Sequence, residues 1–164
     1  MKKCFFGIIT LVILIFGCAS GAKSSDGMTL DQAIKEAATE IDERIPVGSK
    51  LAILNFNSLS NLFSEYVIDE LTANLVKNRN LTVVDRREID LIRSEFNFQL
   101  SGEVSDNSMQ ELGRMLGAQS IVSGSLTKIG NSYRIVIRVL NVQSATIEVQ
   151  YRTDIVADSR VQAL

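Results

Sequence analysis

The sequence predicts a single α/β (α+β) domain in which about four helices pack on a mixed five-stranded sheet. Two observations support this class: amphipathic segments with helical spacing alternate with short apolar runs, and three strand-like segments follow one another near the C-terminus. The predicted order is α-β-α-β-α-α-β-β-β, within residues 29–164. The early part therefore forms a strand–helix–strand unit with parallel strands, and the late part forms an antiparallel meander.

The first predicted helix begins at Thr29 and ends before Pro46. Thr29 and Gln32 have the spacing of a capping box, in which each side chain bonds to the backbone N–H of the other residue. Apolar residues then recur on one helical stripe: Leu30, Ala33, Ile34, Ala37, Ala38, Ile41 and Ile45. Pro46 cannot continue the helix. The next segment, 51–56, is apolar on both faces and predicts a buried strand.

The middle of the chain predicts a parallel crossover and two further helices. Apolar residues every four positions, at Phe63, Val67, Leu71 and Leu75, predict the second helix. The strand 81–84 follows, and a right-handed crossover would pair it with the first strand. A third helix begins near Asp85, with Ile89, Ile92 and Phe96 pointing inward. In the fourth helix, Met109, Leu112 and Leu116 share a face. Gly117 suits the left-handed backbone conformation with which many helices end.

The last part of the chain predicts three antiparallel strands. They cover residues 119–126, 133–142 and 147–155, and Gly130-Asn131 provides a tight turn between the first two. The last strand alternates, with Ile147, Val149, Tyr151, Thr153 and Ile155 on one face. The opposite face carries charged and amide side chains, so this strand is expected to have one buried and one exposed face.

The N-terminus predicts a lipoprotein signal peptide. Lys2 and Lys3 precede an apolar run from Phe5 to Gly17, which is shorter than the roughly 20 residues of a spanning helix. Gly17 and Cys18 at the end of the run match the site where a bacterial signal peptidase cuts before a cysteine. We therefore expect residues 1–17 to be removed, Cys18 to be lipidated, and residues 18–28 to form a flexible tether.

Lipidation at Cys18 would determine the location of the protein. Cleavage also removes Cys4, the other cysteine, so no disulfide is expected and the fold depends on its core. Two or more acyl chains hold a protein firmly on a membrane. Ala19 follows the cysteine where an aspartate would favour retention in the inner membrane. We therefore expect anchoring in the outer membrane, facing the periplasm.

Composition excludes several functional classes. The chain carries a net charge of −2 and shows no basic patch, which makes nucleic acid an unsuitable partner. It has no histidine and, after the expected processing, no free thiol. The usual nucleophile–base pairs and zinc ligand sets are therefore missing. No enzymatic activity, metal or cofactor is expected.

Four segments were candidates for chemistry, and each has a structural interpretation that we favour. In residues 85–88, Asp85 and Glu88 suit helix capping, and the two arginines between them are expected to be solvated. The serines of 123–125 flank a glycine in mid-strand, where glycine indicates a bulge or close packing. Asp154 and Asp158 are near in sequence, but nothing places them in a cleft. Residues 55–58 follow a central strand, where α/β sheets bind ligands, yet they lack a phosphate loop.

A family resemblance begins at Leu51. The segments LAILNF and LTVVDR, then Glu95-x-x-x-Gln99-x-Ser101-Gly102, then LGA at 116–118 and IVSG at 121–124, resemble the CsgG-type lipoproteins. This group includes the curli secretion channel subunit and LpoB-type activators of penicillin-binding proteins. The resemblance covers residues 50–155 and implies a periplasmic α/β domain on an outer-membrane lipid anchor. Only Cys18 is carried over as a functional residue.

The resemblance implies a function in protein binding rather than catalysis. The first hypothesis is a lipid-anchored periplasmic module that recruits or activates an envelope assembly partner, such as the peptidoglycan synthesis machinery. The alternative is a subunit of an oligomeric outer-membrane secretion complex of the curli type, which would require self-association. The sequence identifies neither the partner nor the ligand-binding residues.

Overall fold

The computed structural model describes residues 27–58, 60–95, 105–157 and 161, and its architecture confirms the predicted fold class and element order. The elements are α1 (Leu30–Arg44), β1 (Lys50–Asn57), α2 (Asn61–Asn78), β2 (Thr82–Val83), α3 (Arg86–Glu95), α4 (Asp106–Met115), β3 (Ser120–Ile129), β4 (Ser132–Asn141) and β5 (Ile147–Val156). The sheet order is β2-β1-β3-β4-β5. β1 runs parallel to β2 and β3, and β3, β4 and β5 are antiparallel.

Helices cover both faces of the sheet, and each face has its own apolar cluster. On the first face, α1 and α2 pack against the sheet, to which all five strands contribute, with Val83 of the short β2 only partly buried and with Ile34 and Leu71 among the most buried side chains. On the second face, α3 and α4 cover a smaller area around Leu54, Ile121 and Leu140. Among the described residues, apolar side chains therefore cover only part of the second face.

The ends of the helices follow from local sequence. In the capping box of α1, the Thr29 N–H donates to Gln32 Oε1 at 3.0 Å and the Gln32 N–H donates to Thr29 Oγ1 at 3.3 Å. After α4, Gly117 takes φ +63°, a conformation that L side chains rarely adopt. Lys50 Nζ donates to the carbonyl of Leu116 at 2.7 Å, which places a cation at the negative end of the helix.

The N-terminal segment meets the domain at the outer edge of β5. Met28 forms a parallel bridge with Ile155, and its carbonyl accepts the N–H of Val156 at 3.0 Å. Met28, which the sequence assigned to the tether, is thus held by the sheet. Nearby, the Tyr151 hydroxyl donates to Glu36 Oε2 at 3.1 Å, and burial raises the pKa of Tyr151 above its ordinary value.

Two details differ from the sequence prediction. β2 has only two residues, although Leu81 and Val84 on either side of it are buried as expected. Ile147 was expected on the buried face of the last strand, but 48% of it is exposed. The register shifts between Val139 and Leu140 in the β4–β5 pairing, and this irregularity interrupts the alternation of β5 between Ile147 and Val149.

Several predictions concern residues outside those described. The signal peptide, Gly17, Cys18 and most of the tether belong to this group, as do Phe96, Gln99, Gly102 and Asp158. Within the described ranges, no helix combines the length and the apolar composition needed to cross a membrane.

Candidate functional site

A cavity of about 630 Å³ lies on the second face of the sheet, toward the carboxyl ends of β1 and β3. We call it the polar cleft and define it by six lining residues: Asn55, Asn57, Ser123, Ser125, Thr127 and Arg138. Asp106, in the first turn of α4, lines its rim. The position agrees with the general preference of open α/β sheets to bind ligands at the carboxyl ends of their strands.

The strand register arranges these side chains in rows across the sheet. Asn55 lies opposite Ser123, which lies opposite Arg138. One step along, Asn57 lies opposite Ser125. Because neighbouring strands are about 4.8 Å apart, the amide, hydroxyl and guanidinium groups of one row are close neighbours. The cleft therefore has a rigid floor with several hydrogen-bonding groups.

An irregularity in β1 places Asn55 in this row. The β1–β3 register shifts between Ile53 and Asn55. Leu54 packs in the second-face cluster, and yet the next residue, Asn55, lines the cleft on the same face. Regular alternation would have put these two residues on opposite faces. The irregularity thus ends the apolar part of the second face and begins the polar part.

Gly124 allows the strands under the cleft to pack closely. A Cβ atom at this position would lie 2.5 Å from Phe56 Cε2 and 2.7 Å from the carbonyl oxygen of Val136. Such contacts are too short for any larger residue without movement of the strands. The close-packing interpretation of the segment 123–125 is therefore confirmed, and its serines serve as part of the cleft floor.

Arg138 is the principal cation of the cleft, and only part of its hydrogen-bonding capacity is used. Its Nη2 donates to Asp106 Oδ1 at 2.9 Å. Its Nε is buried and has no hydrogen-bond partner among the described residues. A buried donor without a partner costs about 1–3 kcal/mol. Sequence reasoning missed both Arg138 and Asp106, because no spacing rule connects a strand residue with a helix start 32 positions earlier.

Arg134 lies on the same strand and has a complete set of bonds. Its Nε and Nη2 donate to the two carboxylate oxygens of Asp154 at 2.7 Å and 3.1 Å. This bidentate geometry is the strong form of an arginine–carboxylate pair. The hydrogen bond from Arg134 holds the pKa of Asp154 below its ordinary value.

Replacing Arg134 with glutamine is expected to raise the pKa of Asp154 toward the ordinary value for aspartate. A carboxyl with a lowered folded-state pKa stabilises the fold above its unfolded pKa, and this contribution disappears as the pH falls through the folded pKa. Stability should therefore rise less with pH across the acidic range in Arg134→Gln. NMR titration of the Asp154 carboxyl carbon measures the shift, with the exposed Arg87→Gln as control. An unchanged titration in Arg134→Gln would contradict the assignment.

The other sequence candidates have structural roles. Asp85 Oδ1 accepts the N–H of Arg87 at 2.8 Å at the start of α3, so it caps the helix as expected. Arg86 pairs with Asp90 at 3.6 Å, and Glu88 lies 3.8 Å from Lys50. These pairs are exposed and contribute little to stability. Among the described residues, no group of three or more acids, histidines or cysteines is placed to hold a metal ion.

The fold and the cleft together define a small α/β domain with a polar cavity on one face of its sheet. Its polar groups lie on strands, and they can orient a bound group by hydrogen bonding. The chain belongs to the CsgG family: the family model described as curli production assembly/transport component CsgG matches residues 47–157. This match confirms the family resemblance of the sequence. No curated protein sequence is significantly similar to the chain.

Solved structures of LpoB share this fold. The C-terminal domain of LpoB from Salmonella enterica has a TM-score of 0.66 and 15% identity, covering 76% of this chain and 96% of that one. The corresponding Escherichia coli domain has a TM-score of 0.65, also at 15% identity and with the same coverage. The NMR structure of E. coli LpoB has a TM-score of 0.63 and 13% identity, covering 94% of this chain and 82% of that one. At these identities the likeness concerns the fold.

Proposed function

We propose that this protein is a lipid-anchored module of the cell envelope that binds a protein partner through the polar cleft. The observation that carries the binding function is the polar half of the second face, which no described helix covers and where Asn55, Asn57, Ser123 and Ser125 stand in register on two parallel strands. Membership of the CsgG family supports the envelope setting. The proposed location is the periplasmic side of the outer membrane, with Cys18 as the lipidated residue.

The chemistry of the cleft favours binding over catalysis. The hydroxyls of Ser123 and Ser125 would need a general base to act as nucleophiles, and the chain has no histidine. The carboxylate of Asp106 bonds to Arg138. Hydrogen-bonding groups on a rigid sheet instead supply the orientation and specificity that an interface needs. The resemblance to activators of penicillin-binding proteins supports a partner in envelope assembly, such as the peptidoglycan synthesis machinery.

The N-terminal attachment and the cleft lie at the same end of the sheet. β5 is parallel to β3, because each is antiparallel to β4, and Met28 meets β5 at its carboxyl end. The cleft lies toward the carboxyl ends of β1 and β3. A lipid anchor at Cys18 would thus connect to the end of the domain that carries the cleft.

Ser125→Trp tests the function of the cleft. A large ring on its floor should obstruct a partner, while leaving the first-face core intact, because Ser125 lines the second face. The full-length chain in detergent serves as bait. We expect the amount of bound envelope protein to fall by about tenfold or more, which corresponds to a loss of about 1.4 kcal/mol in binding free energy. Lys77→Trp, on the exposed side of α2, is the matched control. Equal recovery with both variants would contradict the proposal.

The alternative function is a subunit of an oligomeric outer-membrane secretion complex. The description of the matching family, a curli production assembly/transport component, favours it. In this protein, the apolar residues of the β4–β5 hairpin, such as Ile135, Ile137 and Val149, pack in the first-face cluster with α1 and α2. The hairpin is therefore part of the domain core. Recovery of only further copies of this chain as the bound protein would favour the alternative.

A further inference from the structure

We propose that Arg138 receives a carboxylate from an acidic segment of the protein partner, in exchange for the carboxylate of Asp106. This inference rests on the proposed function, because it specifies the chemistry of the partner that the polar cleft binds. It identifies Arg138 as the specificity-determining residue. In the free protein, the carboxylate of Asp106 occupies the position that the partner's carboxylate takes in the complex.

A comparison of two arginines on one strand supports this assignment. Arg134 and Arg138 both lie on β4 and project from the second face of the sheet. Arg134 uses Nε and Nη2 to hold both oxygens of Asp154. Arg138 makes a single bond, from Nη2 to Asp106, and its Nε has no partner among the described residues. Within the described part of the chain, the Arg138 guanidinium therefore lacks the second half of the geometry that a carboxylate normally completes.

The position of Asp106 allows an exchange. Its side chain is 55% exposed, whereas that of Arg138 is 33% exposed. Asp106 belongs to the first turn of α4, at the rim of the cleft, and Arg138 belongs to the sheet below. Rotation of an exposed side chain at a helix start costs little, whereas moving a strand residue would disturb the row it shares with Ser123 and Asn55. The mobile member of the pair is therefore the acid.

Charge on the second face favours an acidic ligand over a basic one. Of the described residues, three arginines and two aspartates lie on or beside the polar half of this face: Arg134, Arg138, Arg152, Asp106 and Asp154. This excess of positive charge contrasts with the net charge of −2 of the whole chain. The hydroxyl and amide groups of the adjoining row can bond to the polar backbone around an incoming acid.

A model compound tests the site directly. The probe is the α-methylamide of N-acetyl-glutamate, which carries one side-chain carboxylate, and the corresponding glutamine compound is the neutral control. Both are titrated into the full-length chain in detergent, while NMR follows the Arg138 Nε–H and the amides of Ser123 and Val136. We expect a saturable shift with the glutamate probe only. Asp106→Asn should bind it severalfold more tightly, because the competing carboxylate is gone.

Arg138→Lys keeps the charge but cannot form a bidentate pair with a carboxylate. The shifts that the glutamate probe causes in the Ser123 and Val136 amides should therefore disappear in this variant. Arg87→Lys, at a position that is 93% exposed on α3, should behave like the unchanged protein. Equal shifts with the glutamine compound, or unchanged binding in both Asp106→Asn and Arg138→Lys, would overturn the assignment.

A second arm separates this inference from the proposed function. Used as bait, Arg138→Lys should recover about tenfold less partner protein than Arg87→Lys. If Ser125→Trp abolishes recovery but Arg138→Lys does not, the cleft binds a partner and the carboxylate assignment is wrong. If the probe binds but the unchanged chain recovers no protein, Arg138 binds carboxylates, and the assignment to a protein partner is wrong together with the proposed function.

Discussion

Cys18→Ser is expected to release the protein from the membrane or to block the removal of residues 1–17. The predicted processing site lies between Gly17 and Cys18, and the mature chain would hold its acyl chains on the Cys18 thiol and the new N-terminus. Each buried CH₂ group contributes about 0.8 kcal/mol to membrane binding, so the loss of two or three chains removes essentially all of the anchoring. Fractionation of cells into membrane and soluble parts measures the effect, and intact mass shows whether the acyl chains are present.

Cys4→Ser is the matched control for this experiment. Cys4 lies inside the segment that processing removes, so its replacement should leave both the location and the mass of the mature protein unchanged. If Cys18→Ser is processed like Cys4→Ser and stays in the membrane fraction to the same extent, residues 1–17 do not act as a lipoprotein signal.

Leu71→Ala should destabilise the domain by about 2–5 kcal/mol, the usual cost of truncating a fully buried leucine. Leu71 is 1% exposed and lies in the first-face cluster between α2 and the sheet. Ile53→Ala in β1 belongs to the same cluster and should fall in the same range. With no disulfide expected in the mature chain, the core carries the stability, and a reductant should not alter it. Denaturant unfolding of the full-length chain measures these changes.

Leu62→Ala provides the comparison, because it makes the same chemical change on the same helix where 57% of the side chain is exposed. Its effect should stay within about 0.5 kcal/mol, as for most surface substitutions. Similar losses in Leu71→Ala and Leu62→Ala would mean that the first-face cluster is not the main source of stability.

Local sequence was sufficient to predict most of the fold. Thr29, Gln32 and Pro46 determine the bounds of α1 by capping chemistry and by the missing N–H of proline, which do not depend on distant residues. Gly117 shows the left-handed conformation expected at a helix end. Alternation correctly predicts the buried face of β5 from Val149 to Ile155. Ile147, at the start of the strand, departs from this pattern because the register with β4 changes between Ile147 and Val149.

The candidate site could not be predicted to the same extent, because it depends on pairings between distant segments. The sequence marks the segments 55–58 and 123–125 separately, but only the β1–β3 register places Asn55 beside Ser123. The register shift after Ile53 cannot be read from a regular alternation of apolar residues. The pair of Asp106 and Arg138 likewise arises from the position of α4 over β4. Fold-level packing, rather than local pattern, creates the polar cleft.

The most direct test of the central claim, that the polar cleft binds a different protein of the envelope, is the recovery experiment performed after chemical cross-linking in intact cells. The unchanged chain, Ser125→Trp and Lys77→Trp serve as baits, and mass spectrometry identifies the linked proteins. We predict that the unchanged chain and Lys77→Trp become linked to the same envelope protein, and that Ser125→Trp loses this link while remaining folded and in the membrane fraction. Adducts that contain only copies of this chain, or an envelope protein linked equally well to Ser125→Trp, would contradict the account.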